Sequence, residues 1–276
     1  MYQLDPFSSS MVSARRRSPH PLRDIAGYVN WEIVAGFVIV IAFFAVVLWL
    51  GDPRWVLPGT VGLVIAGWVF GVCLHEFGHA ATAYFGGDTS EGTISYLSFN
   101  PLKYLHPVLS VLLPVLFIVL GGLPLPGGAV YLQRDLVRNR AWQSAISLAG
   151  PAMSLLFGVV LALPFLFAGD AFFAHQALVN ALALMIFLQV GSVLFNLLPI
   201  PPLDGYGVIS PWLSRDIQQM AAGFLGYGIF LVFALFIFVP QLNAAFFNTV
   251  FALVAHLGVD PFSIVLGFRT FDFWQR

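Results

Sequence analysis

The sequence predicts an all-α polytopic membrane protein with about six transmembrane helices and a small membrane-embedded re-entrant β/loop segment. Charged residues make up 9% of the 276 residues and apolar residues 59%, whereas a soluble domain carries about 25% charged residues. The mean hydropathy of +0.88 agrees with a chain that lies mostly in lipid. The net charge of −1 argues against a nucleic-acid partner.

The chain is predicted to form one membrane-embedded domain between two short tails. Residues 1–28 are polar and rich in Ser, Pro and Arg, which predicts a disordered cytoplasmic tail. Residues 29–268 form the membrane domain, and residues 269–276 form a cytoplasmic C-terminal tail.

Five apolar segments are predicted to span the bilayer, and a sixth is marginal. The first, Trp31–Leu50, has the roughly 20 residues that a helix needs to cross the hydrocarbon. The other predicted spans are Thr60–Phe85, Trp142–Phe167, Ala174–Leu198 and Ala222–Val239, with Ala244–Val259 as the marginal one.

One apolar segment is too short to cross. Val108–Leu120 has about 13 residues, contains Pro114 and is followed by a run rich in Gly and Pro. We therefore expect Val108–Gly128 to dip into the membrane and return. Before it, the alternating piece Thr93–Phe99 predicts a strand.

Basic residues set the predicted orientation, because Lys and Arg are enriched in cytoplasmic segments. If Val108–Gly128 re-enters, eleven of the 12 Lys and Arg residues fall on the side of the N-terminal tail, and only Arg54 lies outside. We therefore expect six spans with both ends in the cytoplasm.

A His-Glu-x-x-His pentad lies in the second predicted span. His75 and His79 are four residues apart, so on a helix both side chains lie on one face and can hold one metal ion. Glu76 lies beside them, where its carboxylate can reach a metal-bound water. The alternative is a histidine pair packed in a polar pocket. The single cysteine, Cys73, points to another side and is interpreted as packing.

A catalytic zinc needs three protein ligands and one open position. The best candidate for the third ligand is Asp204, in the proline-rich run Asn196–Gly205 at the end of the fourth predicted span. Prolines end regular helix, and irregular backbone at membrane depth is tolerated where it lines a polar cavity. Asp88 and Glu91 stay open as alternatives, and so does Asp204 as a plain turn residue at the membrane edge.

Together the motifs resemble those of the site-2 protease family, the intramembrane zinc metalloproteases. The resemblance covers residues 70–210 and rests on HEFGH in one span and NLLPIPPLDG ending a later one. Ser98–Lys103 is similar to the family's NPLK stretch, and Gly150–Ser154 to its GPxxN element. Departures from the family pattern are Ser154 in place of Asn, Tyr104 and His106 in place of His and Asp, and the absence of Lys-Pro-Val-Pro in Gly127–Gln133.

The resemblance implies a compact intramembrane zinc endopeptidase that cuts a peptide bond within or near a transmembrane segment of another membrane protein, in regulated proteolysis. Its expected location is the cell (inner) membrane of a prokaryote, surrounded by the lipid bilayer. By the same resemblance, one Zn²⁺ per chain is bound by His75, His79 and Asp204, Glu76 is the general base, and Asn196 helps hold the substrate or the oxyanion.

Two other functions stay open on the sequence alone. A membrane HExxH peptidase of the prenyl-protein or heat-shock type would take a downstream Glu as third ligand. A metal-binding or transport protein without catalysis is the other, although no chain of intramembrane acids suggests an ion path.

For any intramembrane protease, we expect Thr93–Phe99 or Ala129–Leu132 to pair with an unwound substrate by strand addition. His106, His175 and His256 are interpreted as interfacial or packing residues.

Overall fold

Helices make up the fold throughout the residues that this computed structural model describes, which are 21–104, 136–224 and 228–272. These residues contain no strand. In chain order the helices are α1 (Pro21–Tyr28), α2 (Trp31–Leu50), α3 (Pro53–Gly86), α4 (Glu91–Tyr96), α5 (Pro101–Tyr104), α6 (Arg140–Phe167), α7 (Asp170–Phe173), α8 (Gln176–Asn196), α9 (Asp204–Ile209), α10 (Arg215–Ala222), α11 (Gly228–Phe238), α12 (Pro240–His256) and α13 (Pro261–Phe271), with a 3₁₀ turn at Ser210–Trp212.

Helix α3 carries the pentad and is 34 residues long. The Asp52 side chain accepts a hydrogen bond from the Arg54 backbone at its start. At its end Gly87 has a φ of 111°, a conformation that favours glycine. His75 lies eleven residues before the end of α3, about 16 Å along the axis. The pentad is therefore well inside the helix rather than at its tip.

Helix α8 is the centre of the bundle. Seventeen of its 21 residues are buried, and it is apolar on all sides, as expected for a core helix. It packs against α3, α6, α12 and α13. A Cβ added at Gly67 of α3 would lie 2.7 Å from Met185 Cε of α8. The absence of a side chain at this position lets α3 approach α8 closely.

Helix α2 lies at the outside of the bundle. Leu48 is its one buried residue, and its contact with α3 depends on the small residues Gly59 and Gly62, which face Leu48 and Phe44. Because most of the remaining residues of α2 are apolar and many are exposed, the helix presents a surface suited to lipid.

Four helices in the described part of the chain are long and apolar enough to cross a membrane, namely α2, α3, α6 and α8. Residues 230–238 of α11 meet α12 at a bend of 97°, so this pair counts as one further span at most. The predicted spans Ala222–Val239 and Ala244–Val259 are thus shorter or bent helices. The predicted count of six spans is not confirmed, since the described residues support four or five.

The strand predicted at Thr93–Phe99 is wrong, because helix α4 occupies Glu91–Tyr96. The Ser90 side chain caps this helix by accepting a hydrogen bond from the Thr93 backbone N–H. Local capping therefore overrides the alternating pattern, and the strand addition that we expected at this position is withdrawn.

The predicted tail boundaries also need correction. Residues 21–28 form helix α1 rather than a disordered tail, and Ile25 is buried there against Ala80 and Leu97. At the other end, α13 runs past the predicted boundary at residue 268 to Phe271. Residues 1–20, Val108–Gly128, Ala129–Leu132 and His106 lie outside the described residues.

Candidate metal centre

Three of the predicted ligands meet at one point in the bundle. His75 Nε2 lies 3.1 Å from Asp204 Oδ2, and His79 Nε2 lies 3.3 Å from Asp204 Oδ1. The two histidine Nε2 atoms are 3.1 Å apart. Both histidines are buried and Asp204 is partly buried. Within the described part of the chain, these residues form the one group of His, Cys, Asp and Glu that could hold a metal ion.

The spacing of these atoms fits a tetrahedral zinc site. Zinc binds His nitrogen and carboxylate oxygen at about 2.0–2.2 Å, so two ligand atoms of a tetrahedron are roughly 3.3 Å apart. The two Nε2 atoms are 3.1 Å apart, and they lie 3.1 and 3.3 Å from Oδ2 and Oδ1 of Asp204, respectively, so each separation is close to this value. The donor set, two imidazoles and one carboxylate, is also one that zinc accepts.

Hydrogen bonds to the far side of each imidazole leave its Nε2 free for a metal. His79 Nδ1–H donates to the carbonyl oxygen of Ile146 at 2.6 Å. The Nδ1 atom of His75 lies 3.0 Å from the hydroxyl oxygen of Ser154, to which it can donate. With the proton on Nδ1, both Nε2 lone pairs point towards the Asp204 carboxylate. Two lone pairs that face each other and a carboxylate form a donor set that a metal cation can occupy.

The α3–α6 contact supports the histidines. Ile146, Gly150 and Ser154 recur every four residues and share one face of α6. A Cβ added at Gly150 would collide with His79 Nε2 and lie 2.7 Å from His75 Nε2. On α3, a Cβ at Gly78 would lie 2.7 Å from the Ala149 carbonyl oxygen. The missing side chains allow α6 to approach the metal-binding face of α3.

Asp204 reaches the site from a different kind of segment. Residues 197–203 form turns after α8, and Asp204 is the first residue of the short helix α9. Gly205 lies directly under the carbonyl oxygens of Leu197 and Leu198, where a Cβ would clash. Helix α9 packs against α6, so tertiary packing brings the Asp204 carboxylate to the two histidines.

Glu76 and Asn196, the other two predicted site residues, differ in their surroundings. Glu76 is buried, and its Oε2 has no hydrogen-bond partner, so this oxygen is free to accept a proton. Asn196 is also buried, but its Nδ2 donates to the backbone oxygen of Ser192 at 3.1 Å, within its own helix. The structure does not connect Asn196 to the three ligands.

The alternative ligands lie elsewhere. Asp88 is fully buried, and its carboxylate accepts hydrogen bonds from the Thr93 hydroxyl at 2.7 Å and the Ser90 N–H at 3.0 Å. Glu91 is exposed in the first turn of α4. Neither joins the cluster, which argues against a downstream Glu as third ligand.

The remaining cysteine and histidine predictions are confirmed where the structure describes them. Cys73 is fully buried and packs near Phe99. His175 stacks on Trp49 and donates to its carbonyl oxygen, while His256 donates to the Ala252 carbonyl. They therefore serve packing and hydrogen bonding rather than the metal cluster.

Sequence reasoning missed the supports of the histidines. The sequence marks Ser154 as a departure from a family motif and Gly150 as part of the same element, but it predicts neither the hydrogen bond of Ser154 nor that of the Ile146 carbonyl. The spacing of 146, 150 and 154 along one helix face was the available signal. That spacing is informative only together with the packing of α6 against the pentad.

Known proteins provide an independent comparison. The chain is 44% identical over 219 residues to a protein of Mycolicibacterium smegmatis named "Putative zinc metalloprotease Rip2", covering 79% of this chain and 82% of that protein. A protein of the same name from Mycobacterium tuberculosis is 38% identical over 79% of this chain and 82% of its own length. "Putative zinc metalloprotease YwhC" of Bacillus subtilis is 28% identical over 59% of this chain and 75% of its own length.

Two further comparisons found nothing. No family model matches the chain, and no solved structure matches it significantly. The identity to the Rip2 proteins extends over most of both chains and agrees with the paired motifs and with the cluster that they form. The chain belongs to the site-2 protease family.

Proposed function

We propose that this protein is an intramembrane zinc endopeptidase that hydrolyses a peptide bond within or near a transmembrane segment of another membrane protein. The observation that carries the proposal is the cluster of His75, His79 and Asp204, whose ligand atoms are close enough to hold one metal ion, together with the free carboxylate oxygen of the buried Glu76. The names of the relatives support the zinc and the protease class.

The depth of the cluster supports a substrate that lies in the membrane. His75 is about 16 Å from the end of α3 that carries Gly86, and Ser154 is about 21 Å from the start of α6 at Arg140. A peptide bond must come to this depth to react. This depth supports a membrane-protein substrate whose transmembrane segment unwinds locally to expose a carbonyl. Regulated proteolysis is the process that we propose for this cleavage.

The chemistry is divided between the ion and the chain. Zinc, when bound, supplies a positive centre that polarises the scissile carbonyl and lowers the pKa of a coordinated water. Glu76 accepts the proton of the attacking water and later delivers it to the leaving amine nitrogen, so that water adds across the broken C–N bond. Burial of Glu76 without a hydrogen-bond donor keeps its Oε2 available for both transfers.

Asn196 is proposed to hold the substrate or the oxyanion that develops at the scissile carbonyl. Its Nδ2 donates to Ser192 in the free protein. An amide nitrogen carries two N–H groups, so Asn196 can serve the substrate with its second N–H or by exchanging the bond to Ser192.

We propose that the protein lies in the inner membrane of a bacterial cell. The metal site is then closer to the cytoplasmic face, and the N-terminus lies on the same side. The end of the bundle nearest the cluster carries Arg23, Arg138, Arg140 and Arg215, whereas Arg54 lies at the opposite end of α3. Basic residues favour the cytoplasmic face. The cluster lies inside the bundle but nearer to this basic end than to the end of α3 that carries Arg54.

Substitution of Glu76 by Gln tests the proposal. Loss of general acid–base catalysis typically costs 10²–10⁴-fold in rate, so we expect the membrane fragments that depend on the parent protein to disappear from the cell's membrane proteome. Because Glu76 is not a ligand, purified E76Q should retain about one zinc per chain by elemental analysis. Glu32→Gln is the matched control, since Glu32 is exposed at the start of α2. Unchanged fragments in E76Q would reject the proposal.

A further inference from the structure

A short amphipathic helix follows the third ligand and leaves its apolar side exposed. None of the residues of α10 is buried. Ile217 and Met220 lie on one face of α10, and Phe224, one turn further, continues it; all three are exposed. Arg215 and Gln219 lie on the other face. An exposed apolar surface of this kind marks a contact with lipid or with a partner.

Two hydrogen bonds connect the segment before α10 with helix α9. The Trp212 indole N–H donates to the Ser144 hydroxyl oxygen at 2.9 Å. The Ser144 hydroxyl in turn donates to the Val208 carbonyl oxygen at 2.7 Å. Val208 lies one turn after Asp204 on α9. The Trp212–Ser144–Val208 chain therefore ties the helix that carries the third ligand to α6.

A third residue joins α10 to this chain. The Gln218 side-chain N–H group donates to the carbonyl oxygens of Ser210 and Leu213, at 2.9 and 3.0 Å. These two carbonyls flank Trp212 in the sequence. The orientation of α10 is therefore coupled to the position of Trp212.

The level of Trp212 in the bundle identifies what covers α10. Ser144 lies four residues, about 6 Å, after the charged start of α6 at Arg140. One turn beyond Ser144 is Leu148, and Leu155 continues the same stripe; both are exposed and apolar on a helix of membrane-spanning length. Trp212 thus lies between basic residues and a lipid-facing surface. Tryptophan is enriched at this level, the membrane–water interface.

We propose that Trp212 and α10 form an interfacial anchor: the apolar side of α10 inserts into the headgroup–acyl boundary of the bilayer, and Trp212 and Ser144 hold α9, and with it Asp204, in place against α6. Amphipathic helices with a polar face and exposed large apolar residues lie in this boundary. Trp212 and Ser144 are positioning residues that act through Asp204. This role rests on the proposed function, since Asp204 is positioned for a metal.

Site-directed labelling tests the membrane contact of the full chain in proteoliposomes. Because Cys73 is fully buried, a thiol-reactive fluorophore will label an introduced cysteine selectively. We expect the label in Met220→Cys to be quenched by a lipid-attached nitroxide and protected from aqueous iodide. The label in the adjacent control, Gln219→Cys, should behave in the opposite way. Equal iodide quenching at both positions, or quenching at neither position by lipid nitroxide, overturns the anchor.

Cobalt affinity tests the coupling to the ligand. A net hydrogen bond is worth about 0.5–1.5 kcal/mol, so Trp212→Phe and Ser144→Ala should each weaken Co²⁺ binding about two- to tenfold. The double variant should bind Co²⁺ about as tightly as the more impaired single variant, because both substitutions break the same chain of hydrogen bonds. Trp31→Phe is the control, since Trp31 has the same exposed fraction as Trp212 (61%) and its indole N–H donates to the Ala26 carbonyl of α1 rather than to the Ser144 chain.

The outcomes separate the anchor from the proposed function. Unchanged Co²⁺ affinity in Trp212→Phe, or an equal loss in Trp31→Phe, overturns the coupling. A parent protein that binds no Co²⁺ contradicts the proposed function instead. The labelling contrast needs no metal and decides the membrane contact in either case.

Discussion

The two sides of the metal site are built by different means. His75 and His79 lie on the regular helix α3 and are held through α6, by the Ile146 carbonyl and the Ser154 hydroxyl. Asp204 comes from the short helix α9, after seven residues of turns. On the histidine side, helical periodicity sets the distance between the ligands. On the Asp204 side, only packing against α6 and under the end of α8 does so.

This difference indicates where the site is rigid and where it can adjust. A helix–helix contact with no room for a Cβ at Gly150 cannot move without displacing the imidazoles. A ligand at the start of a six-residue helix depends on contacts that surround that helix. Substitutions on the histidine side should therefore disturb the imidazoles directly. Substitutions around α9 should affect metal binding by shifting the Asp204 carboxylate.

Removal of a ligand from either side should have the largest effect. Loss of an outer partner of a metal ligand costs about 10–100-fold in metal affinity, so His79→Ala and Asp204→Ala should each cost more than about a hundredfold in zinc affinity. Competition with a chromophoric chelator measures this on the purified protein. Asp170→Ala is the control, because Asp170 is an exposed acid at the start of α7. Zinc affinity in Asp204→Ala equal to that of the parent would mean that Asp204 is not a ligand and that the histidines bind the metal without it.

Gly150→Ala should have the next largest effect, confined to the histidine side. The added methyl collides with His79 Nε2 and reaches His75 Nε2, so it occupies the space in which both ligand atoms lie. We expect a loss of zinc affinity close to that of a ligand deletion, measured by the same competition. Gly191→Ala is the matched control, since Gly191 is buried on α8 and has open space around its Cβ position. If Gly150→Ala bound zinc like Gly191→Ala, the histidine side would be looser than its packing indicates.

The same division explains how far the sequence could predict the site. The four-residue spacing of His75 and His79 was sufficient, because helical periodicity alone puts them together. Asp204 is 129 residues from His75, so its place depended on the proline-rich run and on the family resemblance. The Ile146 carbonyl carries no side-chain signal at all. Its role depends on the packing of α6 against α3, which the sequence pattern does not specify.

The fold was predictable where long apolar runs dominate and not where local chemistry competes. Trp31–Leu50 was predicted with the bounds that the structure has. By contrast, the Ser90 cap turned a predicted strand into α4, and a 97° bend before Pro240 divided a region for which two spans were predicted. Capping and bending depend on single residues, which average hydropathy does not detect.

Ser154→Ala should have a smaller effect than Gly150→Ala. The variant removes the partner of His75 Nδ1 without blocking the site, so we expect a loss of zinc affinity near the low end of the 10–100-fold range for outer partners. The Co²⁺ absorption bands should also shift, because the His75 ring is free to turn. Ser263→Ala, a buried serine at the start of α13, controls for the loss of a buried hydroxyl. Identical affinity and spectra in both variants would show that Ser154 packs without orienting His75.

Glu91→Ala should have the smallest effect and still decides between two site types. If the third ligand were a downstream Glu, Glu91 would be the nearest one after the pentad, and its loss would release the metal. The structure has Glu91 exposed on α4 and outside the cluster, so we expect zinc affinity and proteolysis within about twofold of the parent, as for a surface substitution. Zinc loss in Glu91→Ala with retention in Asp204→Ala would reverse the assignment, and the side of the site that is positioned by packing would then be α4 rather than α9.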